Sequence, residues 1–196
     1  MKALSKFVLC LTATASLSNC IMVSGSYDEV YNPPRELVSS HKRISYSVSV
    51  ENETGGKPIV DVEELEEMIS DELAETGLYG AVIPAHEYSK RENEHYHFTF
   101  KLHGTNQAAR MGLTFLSIGT YYLIPLWYTE DVDVSLNLSK NGKNYELRTN
   151  QYARTIIWAP MLLGAPFATR GKATEGIVKR SVGYFTHEIV KRNLHR

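Results

Sequence analysis

Cysteine is scarce in this chain of 196 residues, and Cys10 and Cys20 are the only two. A chain of this length can bury a sizeable hydrophobic core on folding. It therefore needs neither a disulfide bond nor a structural metal ion to hold it folded. Beyond residue 19, Cys20 is the sole thiol.

The chain also lacks an excess of positive or negative charge. Lysine and arginine together number 21 against 22 aspartates and glutamates, which gives a net charge of −1 at pH 7. A nucleic-acid-binding protein carries a concentrated basic face, and the sequence indicates none. We therefore expect no nucleic-acid partner.

No hydrophobic run is long enough for a convincing transmembrane helix, which needs about 20 predominantly apolar residues. Two uncharged segments come closest, at 111–129 and 155–169. The first contains serine, threonine and glycine and is interrupted by Pro125, and the second is too short and contains two prolines.

Recognisable catalytic motifs are missing as well. The chain has no Gly-x-Ser-x-Gly elbow, and His86 is not followed by a second histidine four residues later. His95 and His97 lie two apart on a predicted strand and are a possible fragment of a metal site. Thr99 and Lys101 share their face, which predicts a solvated surface instead. We expect no catalytic residue, no metal and no cofactor, and we expect that the protein is not an enzyme.

The first twenty residues have the parts of an export signal. Lys2 and Lys6 precede a short apolar stretch at 7–11, and small residues follow up to Ser18. A basic start, a short apolar centre and a small-residue exit are typical of a cleaved leader. We predict a signal peptide at 1–19.

The end of this leader, Leu17-Ser18-Asn19-Cys20, resembles the lipobox of bacterial lipoproteins. The resemblance implies cleavage between Asn19 and Cys20, and acyl chains such as palmitate on Cys20 that hold the protein at a membrane. Asn19 stands where that family usually has Gly, Ala or Ser. Ile21 follows the cysteine instead of Asp, which the resemblance associates with the outer membrane, on its periplasmic face. An ordinary signal peptide with an incidental Cys20 is the alternative.

Residues 20–41 are predicted to be the lipidated cysteine and a flexible tether, and residues 42–196 a single domain. The segment after Cys20 contains Ser24-Gly25-Ser26 and Pro33-Pro34 and has no apolar period. Consecutive prolines exclude helix and stiffen a linker.

Within 42–196, the spacing of apolar residues predicts strands and helices. Helical spacing predicts a helix that begins after Asp61 and ends near Gly77, and a second from about Lys172 to Asn193. Asn141-Gly142 predicts a hairpin turn. Strands are predicted by period-two alternation at 44–50, 78–83, 96–102, 132–138 and from 145 onward.

This order of elements predicts an α+β fold: a single, largely antiparallel sheet of four to five strands with two helices on one face, in the order β-α-β-β-β-β-α. The order loosely resembles that of the lipoprotein that assists lipopolysaccharide assembly in the outer membrane. The whole layout is similar to uncharacterised outer-membrane lipoproteins with paired apolar segments. These resemblances imply an accessory role and assign no site.

The two uncharged segments attach to the open end of the predicted hairpin, so an antiparallel pairing would place their ends side by side. Three interpretations remain open: interior filling, a membrane-facing patch, or a socket for a protein or lipid-like partner. Tryptophan and tyrosine favour membrane interfaces. The residues that would make membrane or partner contact are Phe115, Leu116, Trp127, Tyr128, Trp158, Leu162 and Leu163.

The function expected from these features is that of a non-catalytic, lipid-anchored envelope lipoprotein that binds a protein or lipid partner at the outer membrane. A surface-exposed structural or adhesive lipoprotein is one alternative. A metal-dependent envelope hydrolase that uses His95 and His97 is the other.

Overall fold

A mixed six-stranded β-sheet with two helices against one of its faces makes up the fold. The structure is a computed structural model. It describes residues 21–26, 42–52, 61–87, 94–103, 112, 115–116, 119–120, 125–157 and 170–195.

The sheet has the order β1-β6-β5-β4-β2-β3, and β2 runs parallel to both of its neighbours while the other pairs are antiparallel. Two long helices, α1 (Val62–Glu75) and α2 (Arg170–Lys191), complete it, with a short 3-10 turn at Ala85–Glu87. The strands are β1 (Ile21–Ser26), β2 (Arg43–Asn52), β3 (Ala81–Pro84), β4 (Glu94–His103), β5 (Leu126–Lys140) and β6 (Lys143–Ile157).

The predicted sheet of four to five largely antiparallel strands, in the order β-α-β-β-β-β-α, is wrong. The sheet is mixed and has six strands. Helix α1 is a crossover that returns the chain to β3 parallel to β2, and β4 then pairs in parallel on the other side of β2. Alternation of apolar residues assigns side chains to a face of the sheet, but it does not select the neighbouring strand or its direction.

The additional strand comes from the range predicted as a flexible tether. Residues 21–26 form β1, which pairs with β6 from Ile21 opposite Ile156 to Ser26 opposite Gln151. The rest of that range, 27–41, lies outside the described residues. The described part of the fold therefore begins at Ile21, which follows Cys20 in the sequence.

The core lies between one face of the sheet and both helices. Alternate residues of the central strands point into it, including Phe98 of β4 and Leu136 of β5, and Ile69 of α1 and Phe185 of α2 close it from the other side. The rings of Phe98 and Phe185 have centroids 6.2 Å apart. Each such side chain contributes roughly 1.5–3 kcal/mol when fully buried.

Local signals at the ends of elements are confirmed. The Asp61 carboxylate accepts a hydrogen bond from the backbone N–H of Glu63 at 3.2 Å and caps α1, and Gly77 follows its end with a φ of 64°. The β5–β6 turn has positive φ values of 51° at Asn141 and 73° at Gly142. Both are required by the tight turn that matches strand twist, and Asn-Gly satisfies both.

A buried charge cluster ties the hairpin end of the molecule together. The Nζ atoms of Lys42 and Lys140 each lie 2.9 Å from Oε1 of Glu94. Lys140 also donates a hydrogen bond to the carbonyl of Leu194, just beyond α2. Glu94 and Lys140 are both largely buried and have lost most of their hydration. Their mutual attraction compensates for this loss.

Among the residues that the structure describes, no helix combines the length and the hydrophobicity that crossing a membrane requires.

Candidate functional site

The sheet face that points away from the helices carries an exposed apolar corner. Strand alternation places Trp127 of β5 and Ile156 of β6 on this outer face, and they are direct register partners. Val23 of β1 pairs with Arg154 of β6, which in turn pairs with Thr129 of β5. We call these five residues, Val23, Trp127, Thr129, Arg154 and Ile156, the outer corner.

Two of the four large hydrophobic residues that are exposed among the described residues belong to this corner. Trp127 is 61% exposed and Val23 is 49% exposed. The other two large hydrophobic residues that the structure describes as exposed, Phe115 and Leu116, belong to the segment that leads into β5. Exposed hydrophobic residues that concentrate in one region indicate an interaction surface more often than scattered ones do.

The predicted contact residues fall into three groups. Phe115, Leu116 and Trp127 are exposed, at 68%, 53% and 61%. Tyr128 is half-buried on the opposite face of β5, beside the core. The remaining three, Trp158, Leu162 and Leu163, lie outside the described residues, as do Asn19 and Cys20 of the predicted cleavage and lipidation site.

The prediction that the two uncharged segments lie side by side is confirmed where they join the hairpin. Leu126 of β5 and Ile157 of β6 are the last register partners at the open end of the hairpin. The first segment therefore arrives where the second departs. Leu126 itself is buried, and so is Thr155 of the second segment, so both segments contribute to the interior as well as to the surface.

Polar groups on the inner side hold β1 in place beside this corner. The Gln151 amide of β6 donates hydrogen bonds to Ser26 Oγ at 3.0 Å and to Thr149 Oγ1 at 3.1 Å. Its carbonyl oxygen accepts one from Nε of Arg180 in α2, also at 3.0 Å. Ser26 belongs to β1, so this network joins β1 to both β6 and α2.

On the outer side, an aromatic ring covers β1. The side chain of Tyr152 in β6 lies over the backbone of Gly25, so closely that a Cβ atom at residue 25 would overlap the ring. The guanidinium carbon of Arg154 lies 5.7 Å from the centroid of the same ring, within range of a cation–π interaction. Its Nε atom also donates to Thr129 Oγ1 at 3.4 Å. Arg154 thus presents a positive charge at the margin of the apolar surface.

His95 and His97 belong to a ladder of hydroxyl–imidazole hydrogen bonds. The His95 ring nitrogens lie 2.9 Å from Ser45 Oγ and 3.0 Å from Ser47 Oγ. The His97 ring nitrogens lie 2.7 Å from Ser47 Oγ and 3.2 Å from Ser49 Oγ. All four nitrogens therefore have serine partners on β2.

Burial, and secondarily the neighbouring charge of His97, lowers the pKa of His95. Both causes favour the neutral ring, which can donate at one nitrogen and accept at the other. Within the described residues, no group of three or more histidine, cysteine, aspartate or glutamate side chains is arranged to hold a metal ion. The serine ladder gives the His95–His97 pair a role in joining two strands.

An apolar cavity of about 50 Å³ lies between the sheet and the helices. Met22, Val50, Phe100 and Leu102 contribute to its wall, and Glu130 is the charged residue there. A cavity must provide roughly 10–15 Å³ for each water molecule that it holds. The described part of this cavity is thus large enough for a few waters and too small for an acyl chain.

Four members of the outer corner, Val23, Thr129, Arg154 and Ile156, were missed by sequence reasoning. Val23 was assigned to the tether, although Met22 and Val23 already show one apolar residue for each face of a strand. Ile156 was assigned to an uncharged segment without a face. The alternation of β6, with Gln151, Ala153 and Thr155 buried, places Ile156 on the outer side.

No protein-family model matches the chain, and no curated protein matches its sequence. Among solved structures, the chain is similar to a PelC dodecamer variant from Paraburkholderia phytofirmans, with a TM-score of 0.40, 10% identity, and coverage of 84% of this chain and 95% of that one. It is also similar to a DUF330 protein from Xanthomonas campestris, with a TM-score of 0.40, 13% identity, and coverage of 85% and 97%. Similarity at this level does not establish a shared function.

Proposed function

We propose that this protein is a non-catalytic lipoprotein of the bacterial envelope, anchored by acyl chains on Cys20, which acts by binding a protein or lipid partner at the outer membrane. The observation that carries the proposal is the lipobox-like sequence Leu17-Ser18-Asn19-Cys20, followed at once by the first strand of the fold. The outer corner supplies an exposed apolar surface for binding.

Acylation explains the cysteine usage. Cys20 is the only cysteine after the predicted leader, and an unpaired thiol in an exported protein calls for a dedicated use. Two or more acyl chains hold a protein at a membrane stably, because each buried methylene contributes about 0.8 kcal/mol.

The hydrolase alternative receives less support. Its two histidines have serine partners at every ring nitrogen, so a metal ion would have to displace hydrogen bonds that already satisfy them. The adhesive alternative has no specific observation in its favour.

Metabolic labelling with a palmitate analogue, followed by membrane fractionation, tests the anchor. The native chain and a Cys10→Ala variant should both be labelled and sediment with membranes, because Cys10 lies in the predicted leader. A Cys20→Ala variant should be unlabelled. Equal labelling of Cys20→Ala, or none in the native chain, would contradict the proposed anchor.

Binding at the outer membrane is tested by a photo-reactive amino acid placed at position 127, with position 144 at the far end of the hairpin as the matched control. Envelope lipid or a single envelope protein should be cross-linked from 127 and not from 144. Identical products from both positions would contradict a specific binding surface.

A further inference from the structure

We propose that the outer corner rests directly on the leaflet that holds the acyl chains of Cys20. The end of the sheet at which β1 and β5 begin and β6 ends would then face the membrane. The inference rests on the proposed lipid anchor and goes beyond it. An anchor alone would leave the domain free to point any of its surfaces toward the lipid.

The first step is the distance between anchor and sheet. Cys20 is bonded to Ile21, and consecutive Cα atoms are 3.8 Å apart. Ile21 is already paired with Ile156, and β1 continues in register as far as Ser26. No length of chain remains between the lipidated residue and the sheet, so the anchor and the outer corner lie at the same end of the molecule.

The second step is that β1 is held on three sides. It pairs with β6 along its length, the Gln151 network links Ser26 to α2, and Tyr152 covers Gly25. A strand fixed in this way cannot act as a hinge. The end of the sheet at which β1 begins therefore stays close to the anchor.

The third step is chemical fit. Trp127, 61% exposed, has an apolar ring system and one polar N–H, which suits the boundary between headgroups and acyl chains. Val23 and Ile156 extend the apolar surface beside it. Arg154 lies two register positions farther from the end than Ile156, at the level where anionic headgroups attract a cation.

The opposite end of the hairpin has a different character. Lys140, Asn141 and Lys143 surround the turn, and Asn144 is exposed. Asn144 pairs with Ser139, which lies twelve residues after Trp127 along β5. At the rise of an antiparallel strand, this separation corresponds to roughly 40 Å. Contact with lipid at one end keeps the other end in water.

The test uses the lipidated full-length protein reconstituted in vesicles of phosphatidylethanolamine and phosphatidylglycerol, with or without bromine on the acyl chains. A Trp158→Phe background leaves Trp127 as the only tryptophan. We expect its fluorescence to lose intensity in brominated vesicles and its emission to shift to shorter wavelength. The matched control is Asn144→Trp with Trp127→Phe and Trp158→Phe, whose fluorescence should be the same in both kinds of vesicle.

Each result decides the inference. Unquenched, water-exposed Trp127 in protein that carries palmitate would overturn the orientation and leave the anchor standing. A shielded Trp127 without bromine quenching would also overturn it, because a protein contact would then cover the corner. Protein that carries no palmitate would overturn the proposed function, and the inference with it. Circular dichroism on every variant excludes loss of folding as the cause.

Discussion

Ile21, the first residue after Cys20, pairs in register with Ile156 near the end of β6. This pairing joins the start of the folded chain to the last strand of the sheet. It makes β1 an integral part of the fold, and it brings the predicted anchor to the end where both uncharged segments meet the sheet. The predictions below test this strand and the interactions around it.

Gly25→Ala should destabilise β1 selectively. The new Cβ would overlap the ring of Tyr152, so the ring would have to swing away from the backbone of β1 and leave the strand uncovered. Hydrogen exchange of the β1 amides should become faster than in the native protein. Gly171→Ala, where a Cβ meets open space, should have no such effect. Unchanged exchange in Gly25→Ala would contradict the position of β1.

Truncation of Leu136 and Trp127 should separate core from surface. Leu136 is fully buried, so Leu136→Ala should lower the free energy of unfolding by about 2–5 kcal/mol. Trp127 is largely exposed, so Trp127→Ala should change it by no more than about 0.5 kcal/mol. Urea denaturation of both variants measures the difference. A large loss in Trp127→Ala would show that this side chain stabilises the interior.

Glu94→Gln should be costly because the Glu94 carboxylate serves two lysines. With that charge removed, Lys140 stays buried without its partner, and breaking such a pair costs about 3 kcal/mol. Glu146→Gln is the matched control, because Glu146 pairs with Arg148 on an exposed surface and such pairs contribute about 0–1 kcal/mol. Thermal unfolding should rank Glu94→Gln well below Glu146→Gln, and equal midpoints would argue against a buried cluster.

Acid should weaken the serine–histidine ladder. The pKa of His95 is lowered in the folded protein, chiefly by burial, so below the ordinary value of about 6.5 the unfolded chain binds the proton more readily. The contribution of His95 to stability is complete above that pH and is lost as the pH falls through its folded pKa. Urea midpoints measured from about pH 7.5 to about pH 5 should decline less in His95→Gln than in the native protein. Identical slopes would exclude this linkage.

The sequence predicted best what is decided by neighbours along the chain. Asn141-Gly142 specified its turn because two consecutive residues must adopt positive φ, and few residue pairs do so readily. Asp61 and Gly77 marked the ends of α1 for similarly local reasons.

Prediction from the sequence failed for strands whose partner lies far away along the chain. β1 has only six residues, and its partner β6 is completed at Ile157, so the two apolar residues Met22 and Val23 are too short a pattern to predict a strand. The parallel pairing of β2 with β3 and β4 was missed because alternation gives the same signal in either direction. Sheet direction depends on the crossover through α1, which is a property of the whole chain.

The candidate site was predicted unevenly for a related reason. Trp127 was predicted as a contact residue because it lies near the end of an uncharged segment, and the structure finds its side chain exposed. Tyr128 was grouped with it, although adjacent strand residues point to opposite faces. Assignment of the segment to β5 would have separated the two.

The pairing of β1 with β6 also fixes an order of events during folding. Strand β1 has no strand to pair with until nearly all of the chain has been synthesised, because its only pairing partner in the described sheet ends at Ile157. Closing so long a loop is slow compared with forming the adjacent β5–β6 hairpin. Until that late step β1 has no partner in the described sheet, and its pairing with β6 then completes the six strands.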